Sequence, residues 1–211
     1  MVCYNGSGDK LRRHNRVLNA IQAALLRLGI ASTQQQLLTY ARRVLADGSP
    51  DPNDTTQKQP DLAIFDPHFG GPETTLLDLV HSDPSAPAYN TSAARNTGST
   101  ANRAERIKDR KYGQQALAAG YRFRAFGVEI FGCWGASATK LLEEWSAYAH
   151  ENDLFDTQAL EGWSAANFPD MCRQYISVAL QRSNALYMYM CTGTDQRLTS
   201  AGHQLTSADS S

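Results

Sequence analysis

Cysteine is scarce in this chain: Cys3, Cys133, Cys172 and Cys191 are the only ones in 211 residues, with no C-x-x-C pair and no regular spacing. That excludes a disulfide framework and an intact zinc site, and points to a reducing compartment. No apolar run approaches the roughly 18 residues of a membrane span, and no apolar signal segment opens the chain, so an intracellular setting, nuclear or cytoplasmic, is expected. The acceptor tripeptides at Asn53 and Asn90 are disregarded accordingly. Net charge is also lacking: the formal balance is −1, which gives no global signal for nucleic acid. Internal repeats, a Gly-rich phosphate loop and a nucleophile elbow are absent from the sequence too. Hydrophobic content is 42%, enough to bury the core of one domain of this length.

Charge is unevenly distributed. Between Arg95 and Arg124 eight Lys or Arg stand against Glu105 and Asp109, while Glu143 to Asp170 holds seven acids and no Lys or Arg. Such polarity suggests one face that attracts phosphates and another that repels them. The alternative is chance clustering on solvated helix faces.

Two aspartates carry the main chemical signal. Gln59–Phe65 and Thr74–Val80 are apolar runs separated by the turn-rich stretch Asp66–Pro72, the pattern of a β-hairpin. A hairpin symmetric about the Phe69–Gly70 bond places Phe65 opposite Thr74 and Asp61 opposite Asp78. Opposed residues in a sheet have Cβ atoms roughly 4.5–5.5 Å apart, and like charges there are destabilising. Two carboxylates held so close need a shared proton or a cation. A hard divalent cation bound through oxygen is the natural resolution. Against this, Asp61 could be a solvated turn residue and Asp78 a strand cap.

The following helix, Ala101 to Ala119, adds two lysines. On a helical wheel Ala104, Ile107, Ala118 and Ala119 define an apolar side, with Lys108 and Lys111 inside it and Arg103, Arg106 and Arg110 opposite. Lysine is seldom buried unless paired, although its stem can pack while the ammonium reaches water. Two lysines aimed at two aspartates fit phosphoryl transfer, where a cation orients water and offsets developing charge.

Pro60-Asp61, then an acid on the neighbouring strand, then lysine, resembles the PD-(D/E)XK nucleases, which share the restriction-endonuclease-like fold. The usual (D/E)-x-K is broken here, since the tripeptide is Asp78-Leu79-Val80. In one branch, the restriction-like endonuclease domain of site-specific non-LTR retrotransposons, the lysine lies on the following helix, often as K-x-x-K-Y. This chain has Lys108-Asp109-Arg110-Lys111-Tyr112. Arg13-His14-Asn15 and Phe131-Gly132-Cys133-Trp134-Gly135 add to the likeness, and Cys3 with the neighbouring Gly and His14 looks like the worn remnant of a Cys/His knuckle, residues 1–11 forming the N-terminal segment ahead of the domain.

The resemblance covers about Arg12 to His150. It implies an α/β fold of restriction-endonuclease type, with a mixed central sheet flanked by helices and extra C-terminal helices. The implied activity is hydrolysis of DNA phosphodiester bonds with Mg²⁺, for which Mn²⁺ can substitute. Asp61, Asp78 and a backbone carbonyl near Leu79 would hold the metal, with Lys108 or Lys111 beside the water. Glu129 and His81 are accessory candidates, each with a plain strand-end alternative. Arg103, Arg106, Arg110, Arg122 and Arg124 are the expected DNA contacts. DNA is the expected partner, no membrane is, and a targeting or reverse-transcriptase domain would lie outside this chain. A catalytically inactive DNA- or protein-binding module of the same fold, or an RNA-directed or toxin nuclease, is the alternative.

The rest reads as scaffold. Leu11–Leu28 is an amphipathic helix with Val17, Ile21, Leu25 and Leu28 in one stripe and Gly29 as its stop. Ser32-Thr33-Gln34-Gln35 resembles a capping box opening a helix to Ala46, whereas the family resemblance wants a strand there. Residues 47–59 and 81–100 are loops, the second long enough to close over DNA or to be disordered. Tyr121–Phe131 is the last strand. Helices are expected at Ser137–Glu151, with Leu141, Leu142, Trp145 and Tyr148 inward, and from Asp170 to about Met190, with Met171, Tyr175, Val178, Ala179, Leu186 and Met190 as core. The nuclease-like domain is expected over residues 12–191, and the Ser/Thr-rich stretch 192–211 to be disordered.

Overall fold

The structure, a computed structural model, describes residues 7–34, 43–49, 51–54, 59–65, 74–154, 165 and 167–205, with side chains from Lys10 to Tyr189 within those ranges. Cys3, the expected hairpin turn at 66–73 and the last six residues lie outside the described residues.

The amphipathic stripe read from the sequence folds as helix α1 (Ser7–Arg27). Val17, Ile21, Leu25 and Leu28 are all buried. Gly29 adopts φ +70°, and the amides of Gly29 and Ile30 bond back to Leu26 and Leu25 at 3.0 Å, a left-handed stop that favours glycine. Strands β1 (Ser32–Gln34), β2 (Leu62–Ile64), β3 (Thr75–Ser82) and β4 (Arg122–Glu129) form one open sheet in that order. β1–β2 and β2–β3 are antiparallel and β3–β4 parallel, so the sheet is mixed. Between β3 and β4 come α2 (Asn90–Arg95) and α3 (Ser99–Ala118). Helices α4 (Ala136–Glu151) and α5 (Phe168–Leu205) follow.

Alternation along the strands sorts the core into two layers. Leu62, Ile64, Leu77, Leu79, Phe126 and Val128 point to α1, α4 and α5, where Trp145 stacks on Phe126 at 6.3 Å. Ala63 and Leu76 point the other way, onto Tyr112 and Ala116 of α3. An α/β sheet covered by helices on both faces is therefore the observed architecture.

Several expectations are corrected. Ser32–Gln34 is a strand, not a helix start: its backbone pairs with β2, and Gln34 Nε2 donates to Asn19 and Gln22 of α1 at 2.8 and 2.7 Å. Residues 43–49 are not helical either. Local capping-box chemistry lost here to sheet pairing. The loop at 81–100 is partly ordered by α2 and by the Arg103 guanidinium 5.2 Å over the Tyr89 ring. α5 buries Cys172, Ile176, Leu180, Ser183, Asn184 and Tyr187, whereas Val178 and Leu186 are exposed and the Met190 side chain lies outside the described set. It also remains helical to Leu205, into the stretch expected to be disordered.

Candidate functional site

β2 stops at Leu62 while β3 runs on to Ser82, and this mismatch builds the site. The observed register pairs Leu62 with Leu77, Ala63 with Leu76 and Ile64 with Thr75, the alignment expected from a hairpin centred on Phe69–Gly70. Two steps beyond the pairing, Pro60 is buried and has no N–H to offer. The Asp61 carboxylate takes the place of a ladder partner: its Oδ2 accepts the Leu79 amide at 2.7 Å. Its Oδ1 meets His14 Nε2 at 3.2 Å, from the second turn of α1.

Asp78 lies on the α3 face of β3 and is 2% exposed. Lys108 reaches it from α3, Nζ to Oδ2 at 2.6 Å, with the lysine side chain about one quarter exposed. The Asp61 and Asp78 carboxyl groups are in hydrogen-bonding contact. Burial and then the neighbouring Asp61 charge hold the Asp78 pKa above its ordinary value, against the opposing pull of Lys108. For Asp61 burial acts upward, but the hydrogen bond and charge of His14, with the contacts from Asp78 and Leu79, outweigh it and leave the pKa lowered. One carboxylate is thus pushed towards holding a proton while the other stays ionised, the behaviour of two acids sharing a site.

Oxygen donors in this state suit a hard divalent cation. Among the described residues no three His, Cys, Asp or Glu side chains gather in metal-holding geometry. A Mg²⁺ site of two carboxylates completed by backbone oxygen and water does not need a third. Asp61 and Asp78 fit that requirement. Leu79 places its buried side chain in the opposite core layer, and its amide is the one committed to Asp61.

The two lysines separate. Lys108 pairs with Asp78, whereas Lys111 is exposed, its Nζ 5.0 Å from the Tyr112 ring centroid. Lys108 lies 5.6 Å from the same ring, and Tyr112 packs on Phe123 at 5.9 Å. The tyrosine thus locks α3 to the sheet between the two cations. The wheel had mis-phased this helix: its inner stripe is Ala101, Glu105, Lys108, Tyr112 and Ala116, while Ile107 is 45% exposed. Polar residues with buried partners occupy the inward stripe, so apolar residues did not define it.

Glu105 was not anticipated. It is 3% exposed and accepts amides from Gly127 (2.9 Å), Ser137 (2.9 Å) and Ala138 (3.0 Å), tying α3 to β4 and to the first turn of α4. Burial pushes its pKa up, with those three amides opposing. A Cβ on Gly135 would run into the Glu105 carboxylate, and one on Gly127 would sit 2.7 Å from Glu105 Cγ. This explains the glycine ending Phe131–Gly135. The signal available in the sequence is a Glu one turn before Lys108, on the same stripe of the helix.

Glu129 stands four rungs along β4 from the partner of Asp78 and accepts the amide and hydroxyl of Thr100 at 3.1 and 2.6 Å. It caps α3 and does not reach the acid pair. His81 points to the α1 face, its ring 5.8 Å from His14, with Nε2 buried and without a hydrogen-bond partner. Burial first, then the charges of Arg13 and His14, lower its pKa to about 3. The arginines split between two faces. Arg103, Arg106 and Arg110 are exposed on α3. Arg124, on the opposite side of the sheet, pairs with Glu144 of α4 at 3.2 Å, and Arg122 shares its strand face. Cys133 and Cys172 are free thiols, the latter pushed by burial to about 12.

No helix among the described residues is long and apolar enough to cross a membrane. No protein-family model matches the chain, and no curated protein matches it significantly.

Proposed function

We propose that this chain is a divalent-cation-dependent nuclease that hydrolyses DNA phosphodiester bonds on a core of restriction-endonuclease type, and that it derives from a retroelement. The observation that carries the reading is the contact between Asp61 and Asp78 with Lys108 2.6 Å from the second acid. On this reading Lys108 of α3, which contacts Asp78, would stand in for the lysine absent from Asp78-Leu79-Val80, as the retrotransposon-type resemblance implies. The mixed sheet and the β3–α3–β4 crossover are compatible with that core.

Asp61 and Asp78 would hold Mg²⁺ or Mn²⁺, which when bound polarises a phosphate oxygen and lowers the pKa of a coordinated water. His14 and the Leu79 amide fix the Asp61 carboxylate, so its orientation is set before any ligand arrives. Lys108 brings a cation to the place where negative charge develops and can orient the attacking water. Lys111, exposed at the outer end of the same motif, would meet a phosphate flanking the reacting one.

The test is nicking of supercoiled plasmid with Mg²⁺ or Mn²⁺ against EDTA. Wild type should nick only with metal, and Asp78→Ala or Lys108→Ala should lower the rate by more than about 100-fold, the scale of losing one electrostatic group from such a site. No nicking by folded wild type, with DNA binding retained, would instead favour the inactive binding module. Preference for an RNA substrate would favour the RNA-directed alternative.

A further inference from the structure

Helices α1 and α5 run side by side on the sheet face away from α3. Arg27 lies against Met171 and Tyr175 at one end, and Arg13 against Asn184 and Tyr187 at the other. On the outer side of this seam a groove of about 320 Å³ opens, lined by Arg16 and Asn19 from α1 and by Tyr175, Val178, Ala179 and Arg182 from α5. None of the lining residues is acidic. From Lys10 to Arg27 the helix carries five Lys or Arg and no acid. On the facing part of α5, Arg173 and Arg182 are accompanied by Asp170 alone, and that carboxylate is taken by Arg173 at 3.4 Å. In a chain of net charge −1, Arg16 and Arg182 thus set two positive charges in a concavity whose lining holds no acid.

We infer that the α1–α5 groove is a second nucleic-acid contact, gripping the phosphodiester backbone away from the acid pair. The inference deepens the nuclease reading and rests on it for the nature of the polyanion. Guanidinium groups from opposite walls can each take a phosphate oxygen pair in fork geometry, with the Asn19 amide as a further donor. The apolar floor of Ala20, Val178 and Ala179 lets a backbone lie close without desolvating a carboxylate. Arg16 follows His14 by two residues but points to the far side of α1. A strand leaving the acid pair must therefore pass around a helix roughly 10 Å wide, a span of about three to five nucleotides at 3.4 Å each. The groove thus contacts DNA flanking the cleaved bond, not the reacting phosphate.

The experiment is titration of a fluorescein-labelled duplex of about 30 base pairs in EDTA, over a salt series, with wild type, Arg16→Gln/Arg182→Gln and Arg16→Lys/Arg182→Lys. The Gln pair should lose more than about tenfold in affinity and flatten the log–log salt slope by about 2, one unit per phosphate contact, while the Lys pair keeps the slope. Both arginines are exposed, and urea unfolding of the variants checks that the fold is intact. Unchanged affinity and slope in the Gln pair, or no duplex binding by wild type, would overturn the inference. Equal protection of the groove by inorganic phosphate at matched concentration would overturn it in favour of a small-anion pocket. Plasmid nicking separates the two claims: nicking with unaltered Gln-pair binding sinks only the groove, and groove-dependent binding without nicking sinks only the nuclease.

Discussion

Asp78 is costly to the fold as an ionised group. Its folded pKa is raised, so its stabilising contribution is complete below the unfolded value of 3.8 and is lost as pH rises through the folded pKa. At neutral pH and without metal, Asp78→Asn should therefore leave stability equal or raise it by about 1 kcal/mol, since Lys108 is exposed enough to turn to water, while plasmid nicking disappears. A urea midpoint shifted downward by an equivalent amount would show the pair to be structural. His81 has the opposite sign. Its pKa is lowered from 6.5 to about 3, so its contribution is present above 6.5 and drains away as pH falls towards 3. Stability should drop across that window by up to about 1.4 kcal/mol per pH unit, and His81→Asn should flatten the slope. An acid limb identical in wild type and variant would contradict the assignment.

Helix α3 is the element that assembles the molecule. One stripe carries Glu105, which caps α4 and satisfies the β4 amide of Gly127, then Lys108 at the acid pair, then Tyr112 in the core. Glu105→Ala strands three amides in a buried setting and should cost roughly 3 kcal/mol in chemical denaturation, at about 1–3 kcal/mol per abandoned group and allowing for relaxation. A loss under about 1 kcal/mol would mean that water replaces the carboxylate freely. Substituting the lysines separately reads the same helix by its chemistry: Lys108→Ala should abolish nicking, and Lys111→Ala should reduce it by only a few-fold. Equal losses would place both in the reaction. This element also shows where sequence reading reached and where it failed. K-x-x-K-Y and the acid register were visible because a period-2 hairpin fixes its pairing from the turn outward. The face of α3 was not, because its inward residues are chosen by buried charge partners contributed by β3, β4 and α4.

At the scale of the whole chain, local patterns predicted α1, the hairpin, α3, β4 and α4 closely, since each has a clear period or stop. The strand at Ser32–Gln34 was misread because three residues acquire their conformation from β2, some thirty positions later. The His14–Asp61 contact joins α1 to the hairpin across a still longer gap, and the α1–α5 groove joins residues more than 150 apart. Counting charge over 95–124 could not find that groove, and it merged arginines that the sheet separates. The acid pair is nevertheless a meeting point of four segments: β3, α1, α3 and the residue preceding β2 each contribute a group to it.

The claim on which the rest depends is that Asp61 and Asp78 together form one cation site. Calorimetric titration with Mn²⁺ near neutral pH addresses it directly, because binding is read without any substrate. Saturable one-to-one binding in wild type, reduced by more than about tenfold (1.4 kcal/mol) in both Asp61→Asn and Asp78→Asn, is the expected result. Absence of binding in folded wild type, or binding untouched by either substitution, would contradict the account.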